Sequence, residues 1–186
     1  MKKLSDSLAV NIIPASDIHI PALEMLEGRG WKRSQRPDFN ETIMSFVSRF
    51  DLADVRVVIM NDEVLGYYAI GPRTPLISNR HVMRLRAILV APNRRRRGLG
   101  SLLLADAEQF AVSRGASKLT LTVLSTNPAA IRFYERHGYA CESRLVWEFH
   151  IGEQFIDDMT YAKWIGSGGP SEKNRSERKE YREPAK

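Results

Sequence analysis

Residues 91–110 read APNRRRRGLGSLLLADAEQF, in which four arginines, Arg94 to Arg97, run directly into Gly98 and Gly100. Leu99, Leu103, Ala107 and Phe110 then recur at helical spacing, so the glycines fall at a helix start. Backbone N–H groups there have no partner inside the helix, and the helix dipole is positive. Without side chains on two of those residues an anion can approach the amides, and arginine adds planar donors that lysine lacks. Phosphate suits such a loop, while a solvated basic turn accounts for the arginines alone. A Walker-type loop is excluded because no Gly-Lys-Ser or Gly-Lys-Thr follows. Leu103 stands at the third glycine position of a dinucleotide fingerprint, which argues against that fold as well.

A second stretch, NPAAIRFYERHGY from Asn127 to Tyr139, begins with an N-cap residue, places proline at the first helical position and stops on glycine. Asn127, Ala130 and Tyr134 share one side of the helix this predicts. A tyrosine is thus aimed from the helix toward whatever Asn127 faces. Taken singly, Asn127 also fits a plain cap, and Tyr134 beside Ile131 and Phe133 fits a core aromatic.

The elements that must position these groups follow from periodicity. Leu8 to Ile13 reads as a strand, and IHIPALEMLEG as a helix ending near Gly28. A second helix is expected from Asp38 through FNETIMSFVSRF, with Glu41 completing a capping box. VRVVIM and EVLGYYAI, separated by Asn61 and Asp62, predict a hairpin. HVMRLRAILV and KLTLTVL are two more strands, one on each side of the helix after Gly98. YACESRLVWEFHI and QFIDDMTYAKWI, flanking Gly152 and Glu153, form a closing hairpin. The order is strand, two helices, three strands, helix, strand, helix, two strands: a mixed α/β arrangement with one βαβ crossover in its middle.

VAPNRRRRGLGSLLL resembles the cofactor loop of the GNAT superfamily of acetyl-coenzyme A-dependent N-acetyltransferases, with Arg95, Gly98 and Gly100 on its Arg/Gln-x-x-Gly-x-Gly/Ala signature. Asn127, Ala130, Phe133, Tyr134, Glu135, Gly138 and Tyr139 resemble the family's second motif. The resemblance runs from Leu8 to Ile165 and is loosest in the first two helices. It implies a GNAT-like α/β fold: a mixed central sheet of about six to seven strands, about four flanking helices, and a splayed cofactor cleft between the fourth and fifth strands. It further implies acetyl-CoA as acyl donor and no metal. Carried over by position, the amides from Arg96, Arg97, Gly98, Leu99, Gly100 to Ser101, with Arg95 beside them, hold the pyrophosphate. Ile88, Leu89 and Val90 hold the pantetheine arm and the acetyl carbonyl, while Asn127 and Ala130 border the cofactor. Tyr134 is the expected general acid at the sulfur.

The implied reaction is direct attack of an amine on the thioester, which needs a neutral amine, a stabilised oxyanion and a protonated leaving group. A base is not visible: MRLRAILV and KLTLTVL carry no carboxylate, where many members of the family place a glutamate. Backbone carbonyls and water, or Glu41, His81 or Glu148, are the alternatives. Arg84 and Arg86 are two apart on a strand and share parity with Ile88 and Val90. If that face borders the cleft they can bind a carboxylate or phosphate on the acceptor; otherwise they pair elsewhere. The acceptor is expected to be a small-molecule or peptide amine.

Composition bounds the rest. The chain of 186 residues is 43% hydrophobic, enough for one substantial core. Residues 1–165 are expected to form a single N-acetyltransferase domain, and 166–186, with one tyrosine and no other large hydrophobe, a flexible polar tail. The net charge is +6, and the arginines at 94–97 set the sign of the body. They lack interleaved aromatics and the tail mixes glutamates with cations, which argues against nucleic acid as a partner. A lone cysteine, Cys141, fits a reducing cytoplasm, and no apolar run approaches a membrane span. Edge strands after Tyr139 leave a homodimer open. The alternative to an enzyme is a noncatalytic coenzyme A-binding regulatory module of the same fold.

Overall fold

The computed structural model describes residues 10–31 and 45–167. β1 (Asn11–Pro14) leads through a short turn of 3-10 helix into α1 (Ile20–Gly30), and α2 (Phe46–Arg49) precedes β2 (Val55–Met60) and β3 (Glu63–Pro72). β4 (Val82–Val90), α3 (Leu99–Ser113) and β5 (Lys118–Leu124) make the crossover, followed by α4 (Pro128–Arg136), β6 (Ala140–Ile151) and β7 (Gln154–Trp164). One seven-stranded sheet runs β1-β2-β3-β4-β5-β7-β6, and its one parallel pair is β4 with β5. The architecture is the mixed sheet with four helices expected above.

Each turn has a local cause. Asn61 and Asp62 both adopt positive φ, 50° and 61°, the backbone of a type I′ turn, so β2 and β3 form the expected hairpin without a glycine at its tip. α1 continues past Gly28 to Gly30, where the close approach of Leu89 leaves no room for a Cβ. Leu8 and Ala9 of the expected first strand lie outside the described residues, as do Asp38 and Glu41; of the expected second helix, one turn at Phe46–Arg49 is described.

Two cores sandwich the sheet. Leu23, Leu26, Phe46, Phe50, Val57 and Tyr67 fill the face under α1 and α2. Leu103, Leu104, Ala107, Leu119, Leu121 and Tyr134 fill the opposite face under α3 and α4. The strand period of two assigns side chains between them, with one break that matters for the site. Met83 and Leu85 belong to the α3 core, yet Ala87 and Leu89, of the same parity, belong to the α1 core. The β3–β4 register pairs Ile70 with Leu85 and Ala69 with Ala87, so Arg86 is the extra residue of a bulge.

Candidate active site

β4 and β5 pair at only three positions, Val82 with Lys118, Met83 with Leu119 and Arg84 with Thr120. Beyond them each strand keeps its outer partner, β4 staying on β3 up to Val90 opposite Gly66 and β5 staying on β7 up to Leu124 opposite Asp158. The inner edges therefore part, opening a wedge of about 500 Å³. Unpaired strand edge facing a cavity is backbone hydrogen-bonding capacity held ready for a ligand.

The structure brings together Ile88, Leu89 and Val90 on one wall with Asn127, Ala130 and Tyr134 on the other. Arg95 and Gly100 line the same cleft, at the loop joining β4 to α3. Gly98 is the N-cap of α3 at φ +81°, and no side chain caps the helix, so the amides of its first turn are open to an anion. Leu99 turns into the core. Ser101 Oγ lies 3.0 Å from His137 Nε2, tying α3 to α4, while Arg96 and Arg97 are exposed.

The arginines divide by role. Arg94 reaches back to Glu63 at 2.7 Å. Arg95 donates from Nε to the Val90 carbonyl at 3.1 Å and from Nη2 to the Gly30 carbonyl at 2.5 Å, fastening the loop to the ends of β4 and α1. Two of the four thus serve the shape of the loop, and Arg96 and Arg97 stand exposed beside it as added positive charge.

Tyr134 is 8% exposed, with its ring edge-on to Phe133 and Tyr139 at 5.3 and 5.8 Å. Burial pushes its phenol well above the ordinary value, so it holds its proton across the neutral range. Such a group can donate but does not ionise by itself. Asn127 caps α4, its side-chain oxygen accepting from the Ala130 N–H at 3.2 Å.

Trp31 and Arg49 line the cleft on the α1 side, both held by the buried carboxylate of Glu27, which also accepts from the Tyr67 hydroxyl. Arg84 and Arg86 line it too, on one face as expected, but the bulge at Arg86 breaks the parity assumed for that strand. Ile88 and Val90 pack against the α3 core, whereas the arginines lie on the α1 face: Arg84 Nη2 donates to Thr122 Oγ1 at 2.8 Å, and Arg86 lies along Gly71. Arg86 makes no hydrogen bond or ion pair among the described residues.

Of the expected proton acceptors, Glu41 lies outside the described residues. His81 sits in the turn before β4, near Trp164 and at the closed end of the wedge, where its carbonyl accepts from Ser117 and Lys118. Glu148 is on β6 and does not line the cleft. The carboxylate that does is Asp158 of β7, which reading the β4 and β5 strands alone misses. Adjacent residues of a strand face opposite ways, so FIDDMTY does signal two aspartates with different surroundings. Asp157, 5% exposed, accepts from the Trp147 N–H at 2.8 Å and from Arg144 Nε at 2.5 Å, and these bonds hold its carboxyl below the usual range. Asp158 is raised instead, first by burial and also by Glu148, against the pull of Arg84.

Open amides at a helix start, two free strand edges and a wall of Arg49, Arg84, Arg86 and Arg95 fit a long anionic ligand with a peptide-like arm. Among the described residues no group of three or more His, Cys, Asp or Glu is arranged to hold a metal, and no helix is long and apolar enough to cross a membrane.

The model of the Acetyltransferase (GNAT) family matches residues 21–139. The chain belongs to the GNAT family. GNAT proteins use acetyl-CoA. The chain is 33% identical over 79 residues to an uncharacterized N-acetyltransferase, YhfO, of Bacillus subtilis, covering 42% of this chain and 53% of that protein. It is 45% identical over 53 residues to streptothricin acetyltransferase of Streptomyces lavendulae, 28% of each chain. The chain thus spans about half the length of the first of these relatives and about a quarter of the second. Its fold is similar to that of yncA, a putative acetyltransferase of Salmonella typhimurium whose structure holds acetyl-CoA: TM-score 0.69, 16% identity, 88% of this chain and 98% of that one.

Proposed function

We propose that this GNAT protein transfers the acetyl group of acetyl-CoA to a primary amine of a small molecule or peptide by direct attack. The observation that carries the proposal is the wedge itself: strand edges that part after Arg84 and Thr120, with Tyr134 buried on the wall opposite Ile88 to Val90. Bound acetyl-CoA would supply an activated acyl carbon. The amides from Arg96 to Ser101 receive the pyrophosphate, and Ile88 to Val90 receive the arm through backbone pairing and offer an N–H to the carbonyl oxygen. Tyr134, protonated at neutral pH, donates to the leaving sulfur.

The acceptor enters from the side of Trp31, Arg49, Arg84, Arg86 and Phe149. With Arg86 lacking a hydrogen-bond or ion-pair partner among the described residues, amines that also carry a carboxylate or phosphate are favoured. Residues 1–165 act as one cytoplasmic catalytic domain and 166–186 as its tail.

The test is thiol release from acetyl-CoA with a panel of amino acids, polyamines, aminoglycosides and N-terminal peptides. At least one amine should outpace hydrolysis, and Tyr134→Phe should slow that reaction by roughly 10²-fold or more while leaving acetyl-CoA binding intact. Binding without turnover for every amine would favour the noncatalytic module.

A further inference from the structure

We propose that Asp158 is the group that takes the proton from the attacking amine. The inference rests on the acetyl-transfer reading above and supplies the proton acceptor missing from β4 and β5.

The sheet order carries it. Because β7 lies between β5 and β6, Asp158 stands opposite Leu124, the last residue of β5, on the wall that faces the open edge of β4. It is the only carboxylate lining the cleft among the described residues. Glu27, the acid behind the α1 wall, is committed to Tyr67, Trp31 and Arg49. Asp157, next in the chain, shares parity with Met159 and Tyr161 of the α3 core and is occupied by Arg144 and Trp147. Asp158 shares parity with Thr160, and Thr160 pairs with Thr122, the partner of Arg84. The charged groups facing it are Arg84 from β4 and Glu148 from β6; β5 presents the uncharged Leu124 and Thr122, and Arg49 and Arg86 stand farther along the same cleft. Partial burial and the nearby Glu148 make its carboxylate more basic than a surface aspartate, with Arg84 keeping it ionised enough to accept a proton.

The step balances as follows. The amine lone pair forms the N–C bond to the thioester carbonyl carbon, and the C–S bond breaks with its electron pair leaving on sulfur. Sulfur takes the Tyr134 proton, and the proton shed by nitrogen goes to Asp158. Exchange with solvent then returns both side chains to their starting states.

The experiment compares wild type, Asp158→Asn and Asp158→Glu, measuring kcat/KM against pH for the best amine of the panel, with the acetyl-CoA-induced rise in Tm as the second readout. Asp158→Asn should lose roughly 10²-fold in kcat/KM near neutral pH, regaining rate as pH rises toward the amine's own pKa. Its acid limb should vanish, Asp158→Glu should recover part of the loss, and the rise in Tm should match wild type. A carboxyl titrating above the ordinary aspartate range by NMR in the free wild type, absent from Asp158→Asn, is the accompanying signature. Asp158→Asn with a folded structure, an unchanged pH profile and a rate within about threefold of wild type, far short of the loss expected for a general base, would overturn the proposal alone. A wild type without any rise in Tm on adding acetyl-CoA would overturn the acetyl-transfer reading and this proposal together.

Discussion

Gly98 and Gly100 stand two residues apart, yet the same added methyl should act on them in opposite ways. At Gly98 nothing lies within 4 Å of a built Cβ, so the whole cost is conformational: φ is +81°, where an L-residue is disfavoured. That penalty is roughly 1–2 kcal/mol, and at about 2–4 °C per kcal/mol for a chain of this size Gly98→Ala should melt roughly 2–8 °C lower. At Gly100 the backbone is helical and a Cβ meets Phe133 at 3.5 Å, ordinary contact. Alanine is favoured over glycine inside a helix by roughly 0.5–1 kcal/mol, so Gly100→Ala should melt roughly 1–4 °C higher without ligand. The added methyl, however, stands on the cleft wall at the first turn of α3, whose amides receive the pyrophosphate in the proposed function. A tenfold loss of affinity removes about 1.4 kcal/mol of ligand-induced stabilisation. The assay is a thermal melt of both variants with and without saturating acetyl-CoA. A Gly100→Ala variant with a lowered free-protein Tm and the full acetyl-CoA shift, or a Gly98→Ala variant with an unchanged free-protein Tm, would contradict these roles.

Among the described residues Arg86 has no partner to lose, so Arg86→Ala should leave Tm near wild type while raising KM roughly tenfold or more for an acceptor bearing a carboxylate or phosphate, and not for its neutral analogue; equal effects on both analogues would reject an anion site there. Asp157, held below the usual carboxylate range first by the Trp147 N–H and then by Arg144, contributes stability above its unfolded pKa that is lost as pH falls through its folded one. Asp157→Ala should therefore lower Tm near neutral pH and narrow the gap to wild type in the acid range, below about pH 4; a constant gap across that range would reject the assignment.

Local chemistry made much of this molecule readable in advance. Asn61-Asp62 marks its hairpin because both residues tolerate positive φ, and KLTLTVL and the stretch after Gly152 declare strands through β-branched alternation. The glycines at 98 and 100 and the cap at Asn127 are likewise local signals, which is why eight of the expected cofactor residues meet in one cleft. What pattern could not carry was long range. The bulge at Arg86 arises from the register of β4 on β3, so parity counted along MRLRAILV put Arg84 and Arg86 on the wrong face. Asp158 escaped notice because its place depends on β7 pairing beside β5 across more than thirty residues. Arg95, expected to act partly through structure and partly through charge, is held by the Val90 and Gly30 carbonyls, the second too distant in sequence for a local pattern to name.

In the proposed function acetyl-CoA lies in the wedge between β4 and β5. Hydrogen–deuterium exchange with and without acetyl-CoA tests it directly, since the β4 edge beyond Arg84 lacks a β5 partner and should exchange quickly in the free protein. Bound ligand should protect two separate segments, 86–101 and 127–134, and leave the β1–β2 edge unchanged. Protection confined to other segments, or no protection at saturating acetyl-CoA, would contradict it.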